Sequence, residues 1–329
     1  MRARLTLALD AGALRLPDSG RIALFDPRDG ADLSSLPKER VLVVEPFRPD
    51  HLRWEAAGFT AVPALPAGER FAAAIVLLPR AKALARARIA QAVSVTDGPV
   101  IVDGPKTHGI DAVFRDLRGR VAVSDAIAKA HGKLFWFDAR ATELSDWAGA
   151  EARVEGFIAR PGVFSADAVD DGSRLLAGAL PQRLRARVAD LGAGWGYLSA
   201  AVLERPGVEV LHLVEADATA LDCARANLTD PRAVFHWADA TAWRPEAPVD
   251  CVVMNPPFHQ GRAADADLGR AFITAAARVL GPQGQLFMVA NRHLPYEAAL
   301  RAAFRDVTEL PGDARFKLYQ AARPSRPRV

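Results

Sequence analysis

Three short apolar runs between residues 188 and 258 each end on a glycine turn or a polar corner, and their order and spacing suit an alternating strand and helix fold. The first, Val188-Ala189-Asp190-Leu191, runs straight into Gly192-Ala193-Gly194-Trp195-Gly196-Tyr197, a strand followed by a glycine turn that opens a helix. The second, Leu211-His212-Leu213-Val214, reaches Glu215 about twenty residues later, the separation at which a Rossmann-type fold offers a carboxylate to a ribose diol. The third, Cys251-Val252-Val253-Met254, stops at Asn255-Pro256-Pro257-Phe258. Taken together they describe a nucleoside-bearing cofactor facing a planar substrate.

Glycine lacks a Cβ and takes positive φ, so such a turn lets a ligand approach the backbone, although a lone glycine turn is a weak signal. A dinucleotide site competes for it. That site asks for G-x-G-x-x-G, however, and has no use for Asn-Pro-Pro-Phe. Asp190 alone could cap the turn and Glu215 alone could be a solvated strand end; the pair at this separation points to ligand contacts. The two prolines lack backbone donors and fix φ, so the corner presents carbonyl oxygens with no competing N–H. The Asn255 amide oxygen and the Pro256 carbonyl can then accept both hydrogens of a planar amino group, with Phe258 as a stacking face. The bland alternative is a strand end broken by prolines, with Phe258 in the core.

With these motifs in place, Asp190-x-Gly-x-Gly-x-Gly, Glu215 and Asn-Pro-Pro-Phe resemble the class I methyltransferases that use S-adenosylmethionine and methylate amino groups. Asn-Pro-Pro-Phe-His-Gln-Gly, with Pro161-Gly162-Val163-Phe164-Ser165 upstream and Ala290-Asn291-Arg292-His293-Leu294-Pro295-Tyr296 downstream, is similar to the RsmC/RlmG family of ribosomal RNA guanine-N2 methyltransferases. The resemblance is close over residues 155–322 and faint before them. It implies an α/β chain of two tandem Rossmann-like, methyltransferase-type domains. Residues 1–150 would be a degenerate copy with an RNA-binding or structural role, and 151–329 the catalytic domain on a mostly parallel seven-stranded sheet. It further implies Asn255, Pro256, Pro257 and Phe258 as catalytic residues. Asp190, Gly192, Ala193, Gly194, Gly196, Glu215, Ala216, Asp239, Ala240 and Asn255 would bind S-adenosylmethionine, while a turn role weighs as much for Asp239. His259 is expected to position rather than to act as a base. Phe164 and Ser165 would lie near the cofactor, although a hydrophobic staple and helix cap account for Ser165 nearly as well.

The implied substrate is guanine in ribosomal RNA, with the small subunit as the expected target. A protein glutamine-N5 methyltransferase would use the same acceptor corner on a side-chain amide, usually with Tyr in place of Phe258. A non-catalytic RNA-binding or ribosome-assembly factor is the alternative from another class. Intact Asp190, Gly192, Gly194, Glu215 and Asn255 argue against decay in the second half.

Composition bounds the rest. In a chain of 329 residues, half of them apolar, two ordinary domains can each bury a core. Forty-two basic residues against 39 acidic ones exclude a histone-like polycation, yet leave room for a local basic face. Cys223 and Cys251 are the only cysteines and have no zinc-site spacing, so they read as reduced core residues and no metal is expected. Neither a secretory leader nor a run of roughly 18 apolar residues is found, so the expectation is a soluble cytoplasmic protein with no membrane contact, and a monomer is expected beside it.

Along the first half, residues 21–25, 41–44, 74–78, 100–103, 121–124 and 134–137 predict strands, and 48–57, 80–95 and 107–117 helices. No glycine turn with a preceding acid appears there, and Leu78-Pro79-Arg80 stands where an acceptor corner would be. After a boundary near 139–155, helices are expected at 167–180, 197–204, 217–228, 268–280 and 296–304. Strands are expected at 233–237, 249–254, 285–290 and 316–322. The tail, with Arg323, Arg326 and Arg328, is basic and broken by proline.

Overall fold

The computed structural model describes residues 4–28, 30–257, 259–260, 263–264 and 266–325, with Phe258 and the last four residues outside that set. The chain folds as two units, Met1–Glu151 and Ala152–Val329, each built on a seven-stranded sheet. The first unit runs α1 (Arg4–Asp10), β1 (Ile22–Phe25), β2 (Val41–Val44), α2 (Arg48–Ala56), β3 (Thr60–Val62), β4 (Ala73–Leu77), α3 (Lys82–Val95), β5 (Pro99–Pro105), α4 (Ile110–Arg118), β6 (Ile127–Lys129) and β7 (Gly132–Asp138). The sheet order is β3-β2-β1-β4-β5-β7-β6, and only β7 runs against the rest.

The second unit opens with a hairpin, β8 (Ala152–Val154) and β9 (Phe157–Ala159), and continues through α5 (Asp171–Ala179), β10 (Arg187–Leu191), α6 (Tyr197–Leu203), β11 (Val210–Glu215), α7 (Ala218–Asn227), β12 (Ala233–Trp237) and β13 (Val249–Met254). A two-residue ladder, β14 (His259–Gln260) with β15 (Ala263–Ala264), lies just past the proline corner. Then come α8 (Ala266–Val279), β16 (Leu280–Asn291), α9 (Glu297–Ala303), β17 (Phe304–Leu310) and β18 (Phe316–Pro324). Its sheet order, β12-β11-β10-β13-β16-β18-β17, repeats the first sheet position by position, again with one reversed strand, β18.

Alternation along the strands divides the second core into two layers. Ala189, Leu191, Val252, Met254, Leu286 and Met288 face Phe272, Ile273 and Ala276 of α8 and Leu300 of α9. Val188, Leu211, Leu213, Val253, Phe287 and Val289 face Leu176 of α5, Leu198 and Val202 of α6 and Leu221 of α7. Cys223 and Cys251 are both buried. Among the described residues no helix is long and apolar enough to cross a membrane.

The shared strand order lets each strand end of the first unit be matched to one in the second. Phe25 pairs with Val44 as Leu191 pairs with Val214, so Asp26 stands at the position of Gly192 and Glu45 at that of Glu215. Asp26 even keeps a left-handed φ of 51°, and its N–H donates to Val44 as that of Gly192 does to Val214. Its carboxylate, though, is paired with Arg88 at 3.0 Å. By the same register, Leu77-Leu78-Pro79 occupies the place of Asn255-Pro256-Pro257, one residue earlier than the sequence suggested.

Other expectations shift too. Residues 121–124 form no strand; only Ser124 bonds Trp136 of β7, while β6 takes the sheet edge. The helix expected at 167 begins at Asp171, capped by Asp170. β3, β6 and β17, all edge or near-edge strands with exposed positions, carry little apolar signal and were not foreseen.

Gly269 on α8 makes room for the fully buried Tyr296, since a Cβ there would sit 2.0 Å from the phenol oxygen. In an open helix Gly→Ala would stabilise by roughly 0.5–1 kcal/mol. Here Gly269→Ala is expected to destabilise by about 1–3 kcal/mol through overpacking, read as a lower urea midpoint with an unchanged slope. A raised midpoint would show that Tyr296 can yield.

Candidate cofactor and acceptor site

The glycine turn begins where β10 ends. Gly192, Gly194 and Gly196 hold φ of 79°, 57° and 96°, in the left-handed region that side chains resist. Their duties differ. A Cβ on Gly196 would come within 2.9 Å of Leu228 Cδ1, so this glycine lets α6 start against α7. Gly192 donates its N–H to the Val214 carbonyl at 2.8 Å and shapes the turn. A Cβ on Gly194 would meet no atom within 4 Å, so only this glycine opens onto free space.

Asp190 lies beneath the turn, not on its open side. Strand alternation points it toward the layer of Val188 and α6, where it is fully buried and accepts a 2.7 Å bond from the Ser199 hydroxyl. Its other oxygen has no partner among the described residues. Burial pushes this carboxyl up to about 7; the Ser199 bond opposes that and the charge of Glu215 adds to it.

Glu215, at the tip of β11, is bonded to the turn itself. One oxygen accepts from the Gly194 N–H and the other from the Asp217 N–H, both at 2.8 Å. Burial raises its pKa, while those two backbone donors hold it down. Ala216 carries the carbonyl that takes the Trp237 indole N–H at 2.9 Å. Asp239 spends one oxygen on its own turn, accepting from the Thr241 N–H at 2.8 Å and hydroxyl at 2.7 Å. Ala240 is buried in the α8 side of the core.

The acceptor corner follows β13, the strand next to β10. Asn255 is half-buried, Pro256 buried and Pro257 exposed. The Asn255 amide nitrogen donates to Asp170 Oδ2 at 2.7 Å and to Ser173 Oγ at 2.9 Å. Phe258 and the side chain of His259 lie outside the described residues.

A third wall comes from the hairpin side. The Trp195 indole donates to the Phe164 carbonyl at 2.9 Å, and Asn227 bonds both Ile158 and the Trp195 carbonyl, fixing residues 157–165 over the turn. Phe164 stands 58% exposed, and Ser165 adopts a left-handed φ of 55°. The helix cap considered for Ser165 belongs to Asp170, which accepts the Ser173 N–H at 2.8 Å. Gly192, Ala193, Gly194 and Asn255 thus line one cleft with Phe164, Ser165, Asp170, Ser173, Trp195, Tyr197 and Leu198.

Asp170, Ser173 and Trp195 were missed by sequence reasoning. The available signal was the acid of Asp170-Asp171-Gly172-Ser173 ahead of the apolar face of α5, a capping pattern without any hint of its second partner 85 residues on. Among the described residues no group of three His, Cys, Asp or Glu could hold a metal ion.

Comparison with known proteins places these features in a family. The Methyltransferase small domain family matches residues 155–320. The ribosomal RNA small subunit methyltransferase C of Shewanella sp. strain MR-4 is 31% identical over 269 residues, 78% of this chain and 78% of that one. The ribosomal RNA large subunit methyltransferase G of Alcanivorax borkumensis is 35% identical over 170 residues, and that of Streptomyces coelicolor 40% identical over 168. The chain spans less than half the length of these two large-subunit relatives, 43% and 44%. A solved structure of T. thermophilus RsmC, a 16S rRNA N2 methyltransferase in complex with AdoMet and guanosine, superposes with a TM-score of 0.78 at 28% identity, over 94% of this chain and 90% of that one.

The Asp190 carboxyl sets a pH dependence. Because the folded chain holds that proton to about 7 against an ordinary 3.8, the acid costs stability progressively as pH rises through that window. Asp190→Asn keeps the shape and an acceptor for Ser199. Its urea midpoint is expected to gain on that of the wild type between those pH values and to stay level above them. A difference between the two proteins that is flat with pH would show the carboxyl ionised throughout.

Proposed function

The chain belongs to the methyltransferase small domain family, and to the small-subunit methyltransferase C group over 78% of its length, and on that footing we propose how its cleft works. The protein is an S-adenosylmethionine-dependent methyltransferase that modifies the exocyclic N2 amino group of guanine in ribosomal RNA. Our reading goes further in placing the target in small-subunit RNA. It rests on the relative matched over 78% of both chains and on the 16S rRNA enzyme superposed along nearly the whole chain. We take the enzyme to act in the cytoplasm as a monomer.

The residues fit the cofactor. The turn is open at Gly194, where a Cβ would meet nothing within 4 Å, and an acid bonded to that same turn stands at the strand tip where a ribose diol is met. Gly192, Ala193, Gly194 and Glu215 would hold it, with Ala216, Asp239 and Ala240 along the neighbouring strand ends. Asp190 and Gly196 serve it indirectly, one by anchoring α6 and the other by packing the turn. When bound, S-adenosylmethionine supplies an activated methyl group on a sulfonium.

The protein's share of the work is placement, and orienting two reactants can lower a barrier by up to roughly 7–11 kcal/mol. The guanine amine is a poor nucleophile because its lone pair is delocalised into the ring. Asn255 Oδ1 and the Pro256 carbonyl accept its two hydrogens, turn the lone pair outward and stabilise the positive charge that develops on nitrogen. Pro256 and Pro257 contribute by having no N–H to compete at the corner. Phe258 stacks on the base, which must be unpaired or flipped out, since a paired guanine could not enter a recessed cleft. The observation that carries this reading is the Asn255 amide. Its nitrogen is already bonded to Asp170 and Ser173, and among the described residues nothing donates to its oxygen, which is left for the substrate.

Incubation with labelled methyl donor and separated ribosomal fractions, followed by digestion to nucleosides, should yield N2-methylguanosine from small-subunit RNA. Label in a protein glutamine would favour the N5 alternative. Asn255→Ala is expected to slow methylation by about 10²–10³, the scale for one lost transition-state hydrogen bond, with cofactor affinity within a few fold of wild type. Glu215→Gln should instead raise the cofactor Kd by about tenfold or more, as when a charge-assisted bond is lost. Calorimetry should give one site per chain in the wild type; two sites, or an unchanged Kd in Glu215→Gln, would refute the assignment of the turn.

A further inference from the structure

A carboxamide has two faces, and only one suits this reaction. If Asn255 turned by 180° about its terminal bond it would present NH₂ to a substrate amine that has only hydrogens to give, and the corner would repel its substrate. Nothing in Asn255 itself sets that choice. We propose that Asp170 and Ser173 are positioning residues that fix Asn255 with its oxygen toward the substrate and make that oxygen a stronger acceptor, an inference that rests on the reading of Asn255 as the acceptor.

The geometry leaves little freedom. Asp170 Oδ2 lies 2.7 Å from the Asn255 nitrogen, and an ionised carboxylate can only accept. The flipped amide would set two oxygens against each other at that distance. Ser173 Oγ, 2.9 Å from the same nitrogen, meets its second hydrogen. The clamp is itself anchored: Asp170 caps α5 by accepting the Ser173 N–H at 2.8 Å, so one oxygen serves both the helix and Asn255. Gly172 permits this approach, since a Cβ there would stand 3.1 Å from Asp170 Oδ2 and 3.0 Å from the Phe316 ring.

Charge adds to orientation. A carboxylate at the NH₂ end of an amide draws electron density toward the carbonyl end, and hydrogen bonds in such a chain strengthen one another. Asn255 Oδ1 therefore becomes a better acceptor as positive charge builds on the substrate nitrogen. The same carboxylate dictates the residue at the corner. Aspartate at position 255 would place like charges side by side and force one of them to keep its proton.

An exchange of the two groups tests this. Asp170→Asn keeps an equally good helix cap, so Tm and cofactor Kd should stay near wild type while kcat falls by about tenfold, the scale of one charge-assisted bond. Asn255→Asp should fall by about 100-fold or more. The double variant, Asp170→Asn with Asn255→Asp, replaces the like charge with a donor facing an acceptor and should recover at least about tenfold over Asn255→Asp, with a lower Tm because an NH₂ turned to position 255 no longer caps α5. A purely structural role for Asp170 gives additive losses instead, and a double variant no better than Asn255→Asp would overturn the proposal. A second measurement needs no turnover. The side-chain amide signal of Asn255, identified by its loss in Asn255→Ala, should exchange slowly with water and shift in Asp170→Asn and Ser173→Ala. Exchange as fast as at a surface amide would refute the clamp, whichever group the enzyme methylates. A wild type that makes no N2-methylguanosine while this signal stays protected would count against the proposed substrate and not against the clamp.

Discussion

Neighbouring strands that run the same way must deliver their carboxyl ends to one edge of the sheet, and this site depends on that constraint. β10 lies between β11 and β13, with Leu191 level with Val214 and Asp190 level with Val253. One residue beyond Leu191, Val214 and Met254 on these strands come Gly192, Glu215 and Asn255. A turn, an acid and an amide spread over more than sixty residues of sequence are thus set side by side by the ladder alone. The direct bond from the Gly194 N–H to Glu215 then fixes the first two together. Crevices at such switch points are where open α/β sheets bind ligands.

The first unit separates the frame from the chemistry. It has the same strand order, the same left-handed residue after its central strand and an acid at the register of Glu215. Glu45, however, is buried, its carboxyl pushed up to about 8 chiefly by that burial, and one of its oxygens accepts the Phe47 N–H. Asp26 is tied to Arg88, and leucines stand where the acceptor amide would be. At the registers of Gly192, Glu215 and Asn255 the first unit thus carries an ion-paired acid, a buried acid and a leucine, so the same strand order does not by itself present the same groups. Fold alone therefore does not carry the function.

Within the second unit, residues that look alike in sequence do unlike things. Gly192, Gly194 and Gly196 share a backbone conformation, yet one shapes the turn, one opens the cleft and one packs against Leu228. Asp190 and Glu215 are both acids at strand tips, yet one is sealed under the turn and the other bonded to its rim. The difference is position along the strand and not the face: both acids share the face of Val188 and Leu213, but Asp190 sits inside its strand under the helix layer, whereas Glu215 is the last residue of its own.

Local chemistry made much of this protein legible in one dimension. Apolar runs bounded by glycine and proline mark most strands of both sheets, and the glycine turn, Glu215 and the two prolines after Asn255 mark residues that the ladder brings to one edge, because each is a property of a few adjacent residues. Edge strands such as β17 escaped, since a strand paired on one side can stay polar. Only tertiary structure decided which way Asp190 points, which glycine is open, and that Asp170 and Ser173 grip the Asn255 amide from 85 and 82 residues away. A hydrogen bond across that separation leaves no periodicity in the sequence. It exists only because α5 packs its cap against the end of β13, and that packing holds the Asn255 nitrogen in place.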